Sequence, residues 1–470
     1  MSNQATRREF LALTAATLTA AHAASAESHQ ATGVKVGEIT PDSVRIWTRR
    51  TKASLRRVDG VPPSPEILPP GTDPSTLQGS CPGVAGEMRI LVTTASGKKV
   101  TATNWEPAGA EADFARQFVI KDLKPATSYR YTVETRASLK TDGRLSGAFR
   151  TAPPEDALAA VDFAMLSCQK YQKVDDDKGF YLYDSIRAYA PDFYLSVGDN
   201  VYYDSDFPKV NSVALARHHW DRMFSLPRIV ECTRTVPGYW LKDDHDSYSN
   251  DDWPGYVDKK MLAFTWEQGV KVFPQQVPLG PKPYRSFRWG RGLEVFLLEG
   301  RDFRSANNLP DGPTKSIWGN VQKEWLKNAI ASSKAQWKIV VSPTPVVGPD
   351  RGNKHDNHAN DAFTQEGNEI RKWVSENTRH DTFFFNGDRH WQYHSVDPET
   401  KVEEFSCGAA SDGHASGSPG PDEKYHRFHR MKGGFIAVNV RPDGAKSRLV
   451  IEHRDVLGKK VYGQTMEKHA

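Results

Sequence analysis

The sequence is poor in cysteine, which limits how the fold can be held together. Four cysteines occur in 470 residues; they are widely scattered and form no C-x-x-C motif. A dense disulfide framework is therefore not expected. One bridge is compatible with the count, and Cys81 and Cys232 are the pair left over if Cys168 is functional and Cys407 is buried.

Strong charge of one sign and long apolar runs are also missing. The formal net charge is +4, and no basic run or RNA-binding motif occurs, so we expect no dedicated nucleic-acid partner. The apolar stretch near the N-terminus is too short and too rich in small residues for a membrane helix. We therefore expect no stable membrane insertion.

The N-terminus has the features of a targeting segment. Paired Arg7 and Arg8 precede the small-residue run, and residues 24–26 read A-S-A, a cleavage pattern. Residues 1–26 thus resemble a twin-arginine export signal, which carries folded proteins. We expect the twin-arginine translocase as a partner during export, cleavage near Ala26 and a periplasmic or secreted mature chain. A generic secretory signal or a disordered tail is the alternative.

The chain is too long for one ordinary core, and its pattern changes near residue 160. Within 33–151, short runs alternate apolar and polar residues, as half-buried antiparallel strands do. The run LKPATSYRYTV resembles a corner of fibronectin type III domains. A Pro-rich interruption within 53–87 predicts a surface loop that leans over a neighbouring site. Over 160–470, strands alternate with helical patterns, which predicts an α/β layered domain.

Polar side chains follow four of the apolar runs in this second domain. In open α/β sheets, sites gather outside the carboxyl ends of strands, so we expect these loops to converge. Thiolate, carboxylate, phenol and imidazole donors together suit more than one metal ion. Taken singly, each of these side chains has an alternative interpretation without a metal, such as a small buried hydrophobic cysteine or an aspartate in a turn. The side chains are Cys168, Asp199, Tyr202, Asp244, His245, Asp388 and His390.

In their order these motifs resemble the PhoD-type alkaline phosphatase/phosphodiesterase family, within the calcineurin-like metallophosphoesterases. The match runs from TPDSVRIWTR through SCQ, VGDNVYYD, DDHD and RDFR to NGDRHW. The resemblance implies a four-layer α/β-β/α metallophosphoesterase sandwich preceded by a small all-β fibronectin type III-like domain. It also implies a hydrolase of phosphate mono- or diesters, in which a metal-bound hydroxide attacks phosphorus in line. We expect the protein to be a monomer.

Position by position, the resemblance implies a metal centre. Asp199 is expected to bridge two metals, and Tyr202 resembles a tyrosinate that binds ferric iron. A phenol of pKa about 10 needs such a strong Lewis acid to act as a ligand near neutrality. We expect Fe³⁺ and Ca²⁺, the latter in oxygen-rich surroundings, with Zn, Mn or Mg as alternatives. The expected ligands are Cys168, Asp199, Tyr202, Asp244, Asp388 and His390.

The resemblance also implies which residues meet the substrate. His245, directly after Asp244, is expected to stabilise the phosphoryl oxygens or protonate the leaving alkoxide, and the two are the predicted catalytic pair. Asp204, Asn250 and Arg389 are further candidates for substrate binding. No Ser or Thr stands in a nucleophile motif, so we expect no covalent intermediate and net inversion at phosphorus.

Several segments depart from the family pattern or leave alternatives open. Glu299 stands where relatives usually have an Asp-x-Arg pattern, and Arg301 and Arg304 are more readily structural ion-pair partners than phosphate ligands. His355 and His358 either belong to a lid or are surface histidines. Two other functions stay open: a glycan- or wall-binding module with an inactive metal site, and a phospholipase- or phosphotriester-directed enzyme on the same scaffold.

Overall fold

The computed structural model describes residues 28–65, 68–69 and 71–467. The predicted export signal at 1–26 lies outside these ranges. No helix within them is long and apolar enough to cross a membrane. Short 3₁₀ turns occur at Pro74–Thr76, Ala110–Ala112, Tyr171–Lys173 and Lys259–Met261.

The N-terminal domain is all-β, as predicted. Its β3 and β7 alternate buried and less buried residues, because one face of each strand packs on the domain core. The Tyr129 hydroxyl accepts a hydrogen bond from the backbone N–H of Lys124 at 2.8 Å, which pins the corner before β7. The strands are β1 (Val34–Gly37), β2 (Val44–Arg49), β3 (Gly86–Thr94), β4 (Lys99–Ala102), β5 (Glu106–Ala108), β6 (Ala115–Ile120), β7 (Ser128–Arg136) and β8 (Gly143–Arg150).

The second domain mixes strands and helices. Its helices are α1 (Tyr181–Tyr189), α2 (Val213–Phe224), α3 (Pro227–Thr233), α4 (Trp266–Gln276), α5 (Gly319–Ser332) and α6 (Thr364–Asn377). Its strands are β9 (Val161–Leu166), β10 (Phe193–Val197), β11 (Gly238–Leu241), β12 (Arg285–Trp289), β13 (Leu293–Leu297), β14 (Trp337–Ser342), β15 (Thr382–Asn386), β16 (Gln392–Val396), β17 (Glu403–Cys407), β18 (His426–Arg430), β19 (Phe435–Asp443), β20 (Lys446–Arg454) and β21 (Lys460–Glu467).

Two large sheets face each other in this domain. One has the order β21-β20-β19-β9-β10-β11-β1-β2-β6, and the other the order β12-β13-β14-β15-β17-β16-β18. Apolar side chains from both sheets, such as Phe163, Leu195 and Phe385, fill the space between them. Helices α1 to α4 cover the outer face of the first sheet, and α5 and α6 that of the second. The four-layer α/β-β/α sandwich is confirmed.

The first sheet crosses the predicted domain boundary. Strand β1 of the N-terminal domain pairs in parallel with β11, where Gly37 lies opposite Gly238. The Tyr239 hydroxyl also donates to the backbone oxygen of Ile39 at 2.7 Å. Residues 151–160, between the two domains, contain no strand or helix. The two domains are therefore joined by a shared sheet as well as by this segment.

The cysteines and the Pro-rich insertion contribute differently to the fold. Cys81, Cys168, Cys232 and Cys407 are all buried and free, so the conditional pair Cys81 and Cys232 forms no disulfide. Cys81 lies in a loop, and its Sγ is 3.6 Å from the carbonyl oxygen of Gly79. Cys232 lies in α3 and packs in the core between the first sheet and the helices that cover it. Within the insertion, the Leu68 carbonyl accepts from Asn211 at 2.8 Å. The insertion thus rests on the loop that follows β10.

Candidate metal centre

The loops that follow four parallel strands meet at one end of the two facing sheets. Strands β9, β10 and β11 are parallel neighbours, and Cys168, Asp199 and Asp244 follow their carboxyl ends. The fourth loop follows β15 of the opposite sheet and carries His390. Sites form at the carboxyl ends of strands because several loops converge there. The convergence expected from the sequence is present, and it draws on both sheets.

Two glycines allow the loops at this end of the sheets to approach one another closely. Gly198 has a left-handed backbone with φ of 78°, and a Cβ there would lie 2.5 Å from the Cβ of Asp243. A Cβ on Gly387 would lie 2.3 Å from the carbonyl oxygen of Val197. Both distances are shorter than atoms permit, so larger residues at 198 or 387 would force the loops apart.

Three of the predicted ligands share a backbone conformation that L-residues rarely adopt. Cys168, Asp199 and Asp388 have φ of 56°, 54° and 59°. Each such residue costs about 1–3 kcal/mol and persists only where the surrounding structure holds it. Each follows the end of a parallel strand, so the rigid sheets hold the strained turns. Strain of this kind collects at functional sites.

Candidate ligand atoms fall into two groups that share one carboxylate. Those of Cys168, Asp199 and His390 lie within 4.8 Å of one another, and those of Asp199, Asp244 and His245 form a second group at the same spacing. Asp199 is buried, and its Oδ1 has no hydrogen bond. Because a carboxylate has two oxygens, Asp199 can contribute to both groups.

Tyr202 lies beside both groups. Its hydroxyl donates to Oδ2 of Asp199 at 2.9 Å and lies 3.5 Å from Nε2 of His390. Its ring centroid is 4.2 Å from that of His245. Burial and the negative charges of Asp199 and Cys168 raise the pKa of the Tyr202 phenol well above its usual value. The phenol is therefore neutral unless a cation offsets those charges.

His245 is held by a neighbouring carboxylate. Oδ1 of Asp204 lies 2.7 Å from Nδ1 of His245, and the backbone N–H of Asn250 donates to Oδ2 at 3.1 Å. Burial opposes a charged imidazole, but Asp204, Asp244 and Asp199 outweigh it and raise the pKa of His245. Both Asp204 oxygens have protein partners, which gives Asp204 a role in orienting His245, and its contact with substrate stays a prediction. The Asn250 side chain is exposed, and its contact with substrate stays a prediction.

Arg301 contacts the loop after β11 from the protein interior. Its fully buried guanidinium pairs with Asp243 and lies 3.9 Å from Oδ2 of Asp244. Burial disfavours the Asp244 carboxylate, but the charges of His245, Arg301 and Lys354 outweigh burial and lower the pKa of Asp244. Arg301 is therefore an ion-pair partner in the interior, as the sequence favoured.

Arg389 does not face the cleft, which corrects its predicted contact with substrate. Its side chain is 0% exposed, and its guanidinium pairs with Asp350 at 2.9 Å, with Asp356 at 3.6 Å and with Asp388. The guanidinium charge is therefore offset by buried carboxylates rather than presented to a phosphate. Asp388 contacts Arg389 and joins neither ligand group among the described residues. Its role as a metal ligand stays a prediction.

The residues present fit a pair of cations. Burial, together with Asp244 and Asp243, raises the pKa of Asp199 despite the nearby His245. Burial and the Asp199 charge likewise raise the pKa of the Cys168 thiol. Anionic groups gathered out of water repel one another, and bound cations offset that cost. The site therefore has the acids, the thiol and the imidazoles that metal ions require.

The family of this chain follows from a comparison with protein-family models. A model described as PhoD-like phosphatase matches residues 163–439, and one described as PhoD-like phosphatase, N-terminal domain, matches residues 15–153. The chain belongs to the PhoD-like phosphatase family. In this PhoD-like chain, the first match contains every predicted ligand, and the second contains the all-β domain.

Individual relatives of this PhoD-like chain agree with that assignment. Alkaline phosphatase D of Bacillus subtilis (strain 168) is 23% identical over 342 residues, which cover 66% of this chain and 54% of that protein. The match thus spans about half the length of this curated relative. The solved structure titled "Structure of PhoD" has a TM-score of 0.69 at 16% identity and covers 93% of this chain and 89% of that one.

A purple acid phosphatase has a related fold. The structure of the enzyme from yellow lupin (Lupinus luteus) seeds has a TM-score of 0.60 at 14% identity, and it covers 94% of this chain and 74% of that chain. At such low identity the two structural matches show the fold alone. Both agree with the four-layer sandwich seen in this PhoD-like chain.

Sequence reasoning missed two residues beside the centre. His414 follows β17, and its ring centroid is 4.0 Å from that of His390. Lys354 pairs with Asp251 and lies 4.0 Å from Oδ2 of Asp356. The sequence does contain a feature that could have predicted His414. The segment SDGHASG follows an apolar strand, as the other four loops do. Burial lowers the pKa of His414 to about 3, so its imidazole is neutral.

The two histidines of loop 353–361 differ from each other. His355 is exposed and lies 3.2 Å from Oδ1 of Asp361. His358 is fully buried, and its Nε2 lies 2.9 Å from Oε2 of Glu366 in the first turn of α6. The backbone N–H of Ile317 donates to the same Glu366 oxygen at 2.6 Å. His358 is therefore an interior anchor and neither a lid residue nor a surface histidine.

Glu366→Gln should destabilise the protein by about 3 kcal/mol at pH 7. Burial alone would raise the pKa of Glu366, but hydrogen bonds from His358, Ser316 and Ile317 lower it from 4.5 to about 2. A depressed carboxylate pKa stabilises the folded state above about pH 4.5, and that contribution is lost as pH falls toward 2. In urea unfolding, the free energy of unfolding of Glu366→Gln should therefore be lower than that of wild type at pH 7, and the difference should shrink below pH 4.5.

Glu324→Gln is the matched control for this experiment, because the Glu324 carboxylate is largely exposed on α5. Exposed ion pairs contribute little, so its free energy of unfolding should stay within about 0.5 kcal/mol of the wild type. If Glu366→Gln lost the same free energy of unfolding at pH 7 and at pH 3, the depressed pKa of Glu366 would be contradicted.

Proposed function

We propose that this protein is a metal-dependent phosphoric ester hydrolase that acts on phosphate mono- or diesters. The observation that carries the proposal is the carboxylate of Asp199, shared by two groups of candidate ligands. Membership of the PhoD-like phosphatase family supports the same activity class. Two cations bound there would supply Lewis acidity that activates water and neutralises phosphoryl charge.

The residues around the cleft support a division of tasks. Asp204 fixes Nδ1 of His245, which leaves Nε2 to donate a hydrogen bond or a proton to the phosphoryl group or the leaving alkoxide. Asp199 and Asp244 place carboxylates in a buried position, where bound cations would favour their charged forms. No protein nucleophile is required, so hydrolysis of a chiral phosphate ester should invert phosphorus.

The proposal is tested by turnover of p-nitrophenyl phosphate and bis(p-nitrophenyl) phosphate. We expect metal-dependent hydrolysis of at least one of them, abolished by a chelator and restored by added metal. Metal-loaded wild type that hydrolyses neither ester but binds glycans or cell wall would support the binding module instead. Turnover restricted to a phospholipid or a phosphotriester would support the other alternative.

We propose Fe³⁺ beside Cys168, Tyr202 and His390, and Ca²⁺ beside Asp244. Thiolate and phenolate donors suit ferric iron, and oxygen donors suit Ca²⁺. Tyr202→Phe should then remove a tyrosinate-to-iron absorption band at unchanged protein concentration. The neighbouring Tyr203→Phe is the control, because the Tyr203 hydroxyl accepts from Trp220 at 2.7 Å and lies in the apolar core. Wild type that lacks the band and contains zinc or manganese would overturn the metal assignment.

We also propose export through the twin-arginine route to the periplasm or the medium, as a monomer. The paired arginines and the A-S-A site support this destination. Replacing both Arg7 and Arg8 with lysine should retain the uncleaved chain in the cytoplasm. Mass spectrometry of the mature wild type should give an N-terminus close to residue 27, and processing elsewhere would contradict the cleavage site.

A further inference from the structure

The loop over residues 412–425 lies at the surface, except at one side chain. All fourteen of these residues are described, and His414 alone is buried, at 7% exposure. An imidazole in a Gly- and Ser-rich surface loop is normally solvated, and burying it costs free energy unless it makes compensating contacts. The contacts of His414 should therefore explain why this side chain points inward.

The first contact of His414 is with the backbone of a candidate ligand. Its Nδ1 lies 3.0 Å from the carbonyl oxygen of Cys168. A carbonyl oxygen only accepts, so Nδ1 carries the hydrogen and the neutral tautomer of His414 is fixed. The backbone N–H of Ala410 shares this acceptor at 3.3 Å. Two donors from the loop after β17 thus hold the Cys168 carbonyl, where φ is 56°.

The second contact of His414 is with the rings of two more candidate ligands. Its ring centroid lies 4.0 Å from that of His390 and 5.2 Å from that of Tyr202. The planes are inclined by 42° to His390 and by 73° to Tyr202. Rings packed at such distances restrict one another's rotation, because interior packing leaves little free volume. His414 thus contacts one side of each ring.

One further polar contact of this loop reaches the centre, since Oγ of the exposed Ser416 lies 3.5 Å from Nδ1 of His390. Two others lead away from it. Oγ of Ser418 lies 2.6 Å from Nε2 of His429 on β18. Oδ1 of Asp412 accepts from the backbone N–H of Gly433 at 3.0 Å. The contacts of Ser418 and Asp412 attach the loop to β18 and to the segment before β19, whereas His414 is the buried side chain that connects it to Cys168, Tyr202 and His390. A role in loop folding alone does not require that inward connection.

We propose that His414 is a positioning residue that holds Cys168, His390 and Tyr202 in the arrangement that binds metal. The inference rests on the proposed function, because it assumes that these three residues are ligands. Groups that orient metal ligands typically contribute about 10- to 100-fold to metal affinity. His414 acts through the three neighbours and is not itself in either ligand group among the described residues.

Two substitutions separate the contacts of His414. His414→Phe keeps a ring against His390 and Tyr202 but removes the hydrogen bond to Cys168. His414→Asn removes the ring but keeps a donor in place of Nδ1. The control is His380→Asn, at an exposed histidine that follows α6 on another part of the surface. A positive φ of 51° at His380 also suits asparagine, so this control should fold normally.

The measurement is the iron, calcium, zinc and manganese content of purified protein during exposure to a chelator. We expect His414→Phe to lose metal about tenfold faster than wild type, His414→Asn to lie between them, and His380→Asn to match wild type. In the metal-free forms we expect only a small fall in unfolding temperature for the His414 variants, because one hydrogen bond contributes only modestly to stability. The metal readout does not require turnover, so an inactive wild type would refute the proposed function without deciding this inference.

Retention of metal at the wild-type rate by both His414 variants would overturn the inference. A fall in the unfolding temperature of the metal-free variants with metal lost at the wild-type rate would indicate a purely structural histidine. If His414→Phe does not fold, the comparison of His414→Asn with His380→Asn gives the same decision. Faster loss of metal from His414→Asn than from His380→Asn would then support the inference. It would also show that the ring contact of His414 is what retains the metal.

Discussion

Asp199→Asn should abolish stable metal binding and lower phosphoesterase activity on the order of 10³-fold or more. The substitution keeps the size and the hydrogen-bonding shape of the side chain but removes the negative charge. Asp199 is common to both groups of ligand atoms, so losing its charge weakens both metal sites at once. The measurements are metal content and kcat/KM for p-nitrophenyl phosphate.

Asp206→Asn is the control for Asp199→Asn. Asp206 is equally buried in the loop after β10, but its oxygens accept from the backbone N–H groups of Tyr171 and Gln172 at 2.9 and 3.2 Å. We expect Asp206→Asn to lose stability while keeping its metal. Full metal content and near-normal activity in Asp199→Asn would refute the shared carboxylate.

His245→Gln should lower kcat by about 10²- to 10⁴-fold while metal content stays near the wild-type value. The reason is that His245 is partly exposed at the cleft and is oriented through Nδ1 by Asp204. Asp204→Asn keeps the imidazole but loses the charged acceptor, so we expect a smaller decrease of about 10- to 100-fold. The measurement is kcat and KM of each variant with elemental analysis of the same samples.

Combining the two substitutions tests whether Asp204 acts through His245. In that case the double variant Asp204→Asn/His245→Gln should be no slower than His245→Gln alone, since the two residues form one unit. Multiplicative effects would mean that Asp204 has a separate contact with substrate. Loss of metal in His245→Gln would instead make His245 a ligand of the second group.

The sequence was sufficient to predict which loops form the centre. Apolar runs that end in Gly-Asp or Ser-Cys marked strand ends, and parallel strands bring those ends together. That reasoning located Cys168, Asp199 and Asp244 because their position depends only on following a strand. The four-layer sandwich was predicted from the family resemblance, whereas the alternation of strands with helical patterns predicted only an α/β layered domain.

Side-chain direction was beyond the reach of the sequence. Arg389 lies between Asp388 and His390, and the pattern gave no means of telling that it turns inward to Asp350 and Asp356. Those partners belong to a loop more than thirty residues earlier in the chain. His414 was missed for a similar reason, since its contacts with Cys168 and His390 depend on long-range packing rather than on local spacing.

The pairing of β1 with β11 has a consequence for how this protein can be divided. Asp244 and His245 directly follow β11, whose outer neighbour in the sheet is a strand from the N-terminal domain. Removal of residues before 152 would leave β11 as an unprotected edge with free backbone N–H and C=O groups, a template for aggregation. The N-terminal domain therefore acts as an intramolecular edge cap, and the second domain should not be separable from it as a soluble fragment.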